Sequence, residues 1–281
     1  TYPVALTVKD GSIAIDFAGA PPQLGQGGLN STLNYTAAHA TYPLKCMLTP
    51  GVRGNAGCYR PFTVAAPEGS ILNCSKPTAV NLRTRTGWYL APNIFKALAT
   101  AAPGQVQAFT GLPVATNVYG QTPEGRIYSD LLFMGGGQGA SAHGDGKSGL
   151  LWPTSAANTS IEMFEARVPV LVIEKSYLAD SGGAGAHRGG LGQRVRLRRL
   201  AEDGRATLVS VYPEGVGNPT QGLRGGGAGG GASGGLRDGA GTLVKDCGTG
   251  ELVEIRDPAE SGEDSSPIGH LAAASPGQSE T

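Results

Sequence analysis

At 281 residues the chain has room for one large domain or two small ones, with ample core for either. Lysine plus arginine equals aspartate plus glutamate at 22 each, so the net charge is zero and no field draws the protein to nucleic acid or an anionic membrane. No apolar run approaches the roughly 18 residues of a membrane span, and Thr1 leads into a strand without a signal peptide, which predicts a cytoplasmic protein with no nucleic-acid and no membrane partner.

Residues 4–8 and 12–17 alternate apolar and polar side chains around Asp10-Gly11, a tight-turn dipeptide, so the chain opens with a predicted β-hairpin. Gly25, Gly27 and Gly28 make a loop ending at Asn30-Ser31, a capping pair for a helix to about Leu48 with Leu33, Ala37, Ala40 and Leu44 on one side and a kink at Pro43. The stretch GNAGCYRPFTV places Cys58 and Arg60 just before a predicted strand over 62–66. A nucleophilic cysteine needs a base or cation to become thiolate, and Arg60, two residues on, would share its strand face. No histidine is local, and Cys58 serves equally well as a small buried residue. The other cysteines, Cys46, Cys74 and Cys247, complete a set of four without metal-knot spacing, read as free thiols.

Residues 86–102 read as one helix around Trp88, Ile94, Phe95 and Leu98, with Pro92 in its first turns. Two strands joined by Pro123-Glu124-Gly125 follow, and then the loop MGGGQGASAHGDGKSG. A phosphate-binding P-loop would need glycine at position 141, where Ser141 stands, and neither Ser141 nor Ser148 lies in the G-x-S-x-G of a nucleophile elbow. What remains is a glycine-rich loop that closes over a ligand and presents His143 and Asp145. An H-x-D pair suits acid-base work, because imidazole titrates near neutrality and a carboxylate can orient it.

Residues 158–192 place a short helix, a strand and a glycine loop in succession. Asn158 or Thr159 caps the helix with Glu162 completing a capping box, and Pro169 stops it. Residues 170–173 are a short apolar run expected to be buried on both faces. The loop SGGAGAHRGGLG holds six glycines, and Arg188 within it can grip a planar anion or pair with Asp180. The strand GQRVRLRRL then shows a basic face of Arg194, Arg196 and Arg198 and leads through Glu202-Asp203-Gly204 into a hairpin with residues 206–211. The glycine run from Asn218 matches G-x-G-x-x-G only by density, two short strands follow near 242–245 and 251–255, and residues 258–281 have the composition of a disordered tail.

The segments IAIDFAGAPPQLGQGGLNST, GVRGNAGCYRPFTVAAPEGSILN, FMGGGQGASAHGDGKSG and NTSIEMFEARVP followed by SGGAGAHRGGLG, in that order, resemble the hydantoinase B, 5-oxoprolinase and acetone carboxylase α-subunit family. The resemblance runs over roughly residues 1–230 and corresponds to the carboxyl-terminal half of a B-type subunit. It implies a small-molecule substrate and an A-type ATP-using partner subunit within an oligomer. It also implies that ATP and a divalent metal belong to the full complex, while this chain itself binds no cofactor. Asn30, by resemblance, joins Asn55, Arg60 and Arg188 as candidate substrate-binding residues, and His143 and Asp145, whose loop the family shares, join Cys58 as candidate catalytic ones. Where many relatives carry a Gly, Asn, Glu, Thr, Ser block, this chain has Asn81-Leu82-Arg83-Thr84-Arg85-Thr86, which suggests a carboxylate or phosphate contact of its own.

The expected fold class is α+β and β-rich, with many short strands and hairpins, few helices and long glycine-rich loops. Residues 1–217 form the family-like region, 218–257 a glycine-rich segment with short strands, and 258–281 the tail. The resemblance implies a component of an ATP-dependent amidohydrolase that opens a cyclic amide of the hydantoin or 5-oxoproline type. A component of a ketone carboxylase and a non-catalytic scaffold are the alternatives.

Overall fold

A computed structural model describes residues 2–154, 156–200, 207–212, 215–237, 243–246, 252–255 and 268–275. Strands outnumber helices twelve to five among them, which makes the fold α+β with a β-rich character. The chain divides into two compact units, Thr1–Ala108 and Phe109–Thr281.

In the first unit β1 (Ala5–Lys9) and β2 (Ser12–Asp16) pair antiparallel, and Asp10 and Gly11 turn between them at φ +49° and +73°. Those are the left-handed angles that a two-residue hairpin turn requires and that Asp-Gly adopts readily. After α1 (Leu33–Leu48) and α2 (Ala56–Tyr59), β3 (Phe62–Ala65) joins β2 in parallel. The expected helix over 86–102 is two helices, α3 (Arg83–Trp88) and α4 (Leu90–Leu98), that meet at Tyr89. Pro92 is the third residue of α4, where an N–H would have no intrahelical acceptor, so it is accommodated in the first turn. Ile13, Ile15 and Phe17 bury one face of β2, while Ala40 and Leu44 of α1 and Leu90, Ile94 and Leu98 of α4 supply the helical core. The cap of α1 is Thr32 and makes no side-chain hydrogen bond; Asn30, assigned to that role from sequence, is used elsewhere.

The second unit holds two antiparallel sheets. One contains β4 (Val114–Gln121), β5 (Ile127–Met134), β8 (Thr207–Tyr212) and β11 (Leu252–Ile255), in the order β11-β8-β4-β5. The other contains β6 (Val170–Tyr177), β7 (Gln193–Arg199), β9 (Gly231–Arg237), β10 (Leu243–Asp246) and β12 (Ile268–Ser275), in the order β10-β9-β12-β7-β6. Their shared core is Val114, Val118, Leu132, Met134, Val170, Val195, Leu197 and Val209, closed by Phe164 of α5 (Ile161–Glu165) and by Val168.

Several sequence expectations change here. β7 and β8 are not a hairpin: β7 pairs with β6 and β12, and β8 with β4 and β11, because each buries its apolar face in a different sheet. The expected turn at 202–204 lies outside the described residues. The two short strands expected near 242–245 and 251–255 form as β10 and β11, which pair with β9 and β8. Part of the stretch 258–281, read from composition as disordered, is β12, whose run from Ile268 to Ser275 fills the place between β9 and β7. Residues 170–173 are not buried on both faces: Val170 is buried against the core while Leu171 and Ile173, on the opposite face of β6, remain exposed. At the sheet edge that β6 forms, the Glu165 carboxylate accepts the Val172 N–H at 2.6 Å. The cap of α5 is Ser160, whose hydroxyl accepts the Met163 N–H and donates to Glu162. Thr159 instead ties the chain to β5 through the Leu131 carbonyl and the Phe133 N–H.

Candidate functional site

Three glycine-rich segments of the second unit, 135–149, 181–192 and 220–230, lie backbone against backbone. Gln138 N–H donates to the Lys147 carbonyl and Gly190 N–H to the Gln138 carbonyl, both at 2.8 Å. Gly146 N–H reaches the Arg188 carbonyl at 2.8 Å, and Gly149 N–H the Leu191 carbonyl at 2.9 Å. The third segment joins through Gly227 N–H to the Ala184 carbonyl at 2.7 Å and Gly230 N–H to the Ser181 carbonyl at 3.0 Å. Buried Ser181 fastens the base, accepting from Gly192 N–H and donating to the Leu178 carbonyl.

Such an approach explains the glycines. A Cβ on Gly146 would collide with the Gln138 carbonyl and lie 2.6 Å from the Gly190 nitrogen. A Cβ on Gly190 would strike the Lys147 carbonyl, and one on Gly182 the Gly189 carbonyl. These positions therefore need glycine for close packing, which corrects the expectation that the glycines serve loop closure.

Asp145 and Arg188 meet on the outer edge of this stack. The Asp145 carboxylate accepts the Arg188 backbone N–H at 2.9 Å and stands 3.6 Å from the Arg188 Nε. It also faces the Nδ1 of His187 at 3.7 Å. Arg188 thus pairs with Asp145, not with Asp180, whose φ of +56° marks it as a turn residue. His143 is exposed on the tight turn bridging Ser141 to Gly144, its N–H donating to the Ser141 hydroxyl. His187 was not singled out from sequence, because its partner stands 42 positions earlier in the chain; its one local signal was the neighbouring Arg188. Among the described residues no group of three or more His, Cys, Asp and Glu side chains gathers to hold a metal ion.

The remaining candidates lie in the first unit. Asn30 is fully buried: its amide oxygen accepts the Leu24 N–H at 2.7 Å, and its nitrogen reaches the carbonyls of Leu24 and Ala79 and the hydroxyl of Thr78. That side chain holds two loops together. Asn55 caps α2 by accepting the Gly57 N–H, and it shares the Arg53 carbonyl with the Cys58 thiol. Cys58 lies in α2 and exposed Arg60 just after it, so the common strand face expected for them does not exist. In the Asn81–Thr86 block Arg83 donates to the Val80 carbonyl and lies over the Tyr35 ring, 5.3 Å from its centroid. Tyr35 in turn stacks on His39, and burial pushes the His39 imidazole below its ordinary pKa while a bond with the Gly87 backbone opposes the shift.

The family model described as Hydantoinase B/oxoprolinase matches residues 1–262. An uncharacterised protein of Methanocaldococcus jannaschii is 32% identical over 264 residues, 92% of this chain and 46% of that protein. The caprolactamase subunit beta of Pseudomonas jessenii is 33% identical over 185 residues, 61% of this chain and 30% of that subunit. The nucleotide-free structure of acetone carboxylase shares the fold at a TM-score of 0.75 and 17% identity, over 97% of this chain and 40% of that one. The chain thus spans less than half the length of these relatives.

Proposed function

Because the chain belongs to the hydantoinase B/oxoprolinase family, we propose that it is a B-type component of an ATP-dependent enzyme that opens a cyclic amide, working with an A-type ATP-using subunit. The observation that carries this reading is the family match over residues 1–262. The caprolactamase likeness adds a lactam to the substrate class, and the word subunit in that relative's name supports a partner chain.

The chemistry is consistent with such a division. An amide carbonyl is a poor electrophile, and phosphorylation of its oxygen by the partner makes its carbon open to attack. This chain contributes a stack of loops without flexible side chains at the points where they touch, which fixes Asp145 and Arg188 to within their backbone bonds. Arg188 presents a guanidinium suited to an anionic, phosphorylated substrate, and His143 at the rim is a candidate proton carrier. Cys58, Asn55 and Arg60 are a second cluster of candidates around α2. The described residues do not gather a set that fits a divalent metal, and no step here passes through one.

A second reading, a ketone carboxylase component, is favoured by the fold shared with acetone carboxylase. The test is to assemble the chain with an A-type ATP-using subunit and follow 5-oxoproline, hydantoin, caprolactam and acetone, with and without bicarbonate. ATP-dependent ring opening is the expected result. Bicarbonate-dependent consumption of acetone would favour the second reading, and no turnover on any of them would leave a scaffold.

A further inference from the structure

We infer that His187 is a catalytic acid-base residue of this loop edge, with Asp145 holding its Nδ1; the inference rests on the loop stack being part of the working site proposed above. The geometry begins with Asp145. One of its oxygens takes the Arg188 N–H at 2.9 Å and the other lies 3.6 Å from the Arg188 Nε, so the carboxylate is fixed from two sides before the imidazole is considered. His187 Nδ1 then stands 3.7 Å from the oxygen that accepts the Arg188 N–H. That separation is longer than a closed hydrogen bond, as catalytic pairs often are before substrate binds.

An imidazole held through Nδ1 presents Nε2 on the far side of the ring. His187 is exposed, and among the described residues its ring makes no other polar contact. Its backbone is fixed where it leaves the stack: Arg188 accepts from Gly146 N–H, and Gly189 N–H donates to the Gly183 carbonyl at 2.9 Å. His143 is exposed as well, and its backbone N–H donates to the Ser141 hydroxyl. It lies on a four-residue turn beside Gly144, around which a Cβ would meet nothing within 4 Å. His187 thus stands beside a carboxylate on a backbone held by the stack.

The step it performs is the attack of water on the phosphorylated lactam. The water oxygen bonds to the carbon that carries the phosphoryl oxygen, one water proton passes to Nε2, and the pair of the carbon–nitrogen double bond moves onto the ring nitrogen, which takes a proton from solvent so that the carbon–nitrogen bond can then break with the amine as leaving group. The imidazole leaves this step as imidazolium with Asp145 beside it, which stabilises the new charge.

Two measurements test the inference. In the isolated chain, nitrogen-resolved NMR of the neutral His187 ring should show the proton on Nδ1; a proton on Nε2 would overturn the arrangement. In the enzyme assembled with its A-type partner, His187→Gln should lower turnover of the substrate it opens by about 100-fold to 10,000-fold and abolish the acidic limb of the pH–rate profile. An active wild type alongside an unimpaired His187→Gln variant overturns the inference alone. A wild type inactive on 5-oxoproline, hydantoin and caprolactam overturns the underlying functional reading, and the inference falls with it.

Discussion

Gly146→Ala and Gly144→Ala, two positions apart in one loop, separate packing from flexibility as the reason for the glycines. At Gly146 the added methyl meets the Gln138 carbonyl and the Gly190 nitrogen, all of it backbone that cannot rotate away. Overfilling a packed site costs about 1–3 kcal/mol. Here the yielding backbone also carries the Gly190-to-Gln138 and Gln138-to-Lys147 hydrogen bonds, so the cost falls at the upper end, about 3 kcal/mol. For a unit of this size that lowers the melting temperature by about 6–12 °C. Gly144 has open space and no left-handed φ, so alanine there should be neutral or stabilise by about 0.4–1 kcal/mol through the unfolded chain. Thermal unfolding followed by circular dichroism reads both, and exchange of the Gly190 amide should quicken only in Gly146→Ala. Two variants that melt within about 1 °C of each other would refute the packing argument and return the loop to a closing lid.

Asn30→Ala should destabilise by about 1–3 kcal/mol in denaturant unfolding, since it removes the buried amide that bonds groups of Leu24, Thr78 and Ala79. His39, with a folded pKa depressed by burial, takes up its proton more readily when unfolded. Its contribution is therefore complete above the unfolded value of about 6.5 and is lost as pH falls through that value toward the folded one, a slope that His39→Gln should flatten in urea titrations at pH 7 and pH 5. The isolated chain should show no measurable ATP hydrolysis, because Ser141 stands where a P-loop needs glycine; a steady-state phosphate-release assay on homogeneous protein checks this.

Features encoded within a few residues were legible in the sequence. The Asp10-Gly11 hairpin and the β4–β5 hairpin through Pro123-Glu124-Gly125 follow from turn chemistry, and both form. Pairing between distant segments was not legible. Nothing near residue 200 says that β7 and β8 enter different sheets, because both carry the same alternation and the choice lies in which distant strands each pairs with. Asn30 looked like a helix cap for the same reason: the partners that claim its amide are up to 49 positions away. For the glycine loops, composition alone is ambiguous, since a flexible lid and a close-packed stack call for the same residue. Asp145 and Arg188 were both legible as candidates, while their pairing and the presence of His187 beside them depended on how the loops return to one another.

The Glu165 carboxylate on the Val172 N–H has a bearing on the life of the protein outside its chemistry. An edge strand is a template on which a stranger's strand can grow, and β6 carries exposed Leu171 and Ile173 that would reward it. By occupying a donor on that edge with its own acid, the chain removes one rung of the ladder a second molecule would climb and sets a charge where that molecule would lie. One carboxylate thereby blocks part of this edge against the strand of a second molecule.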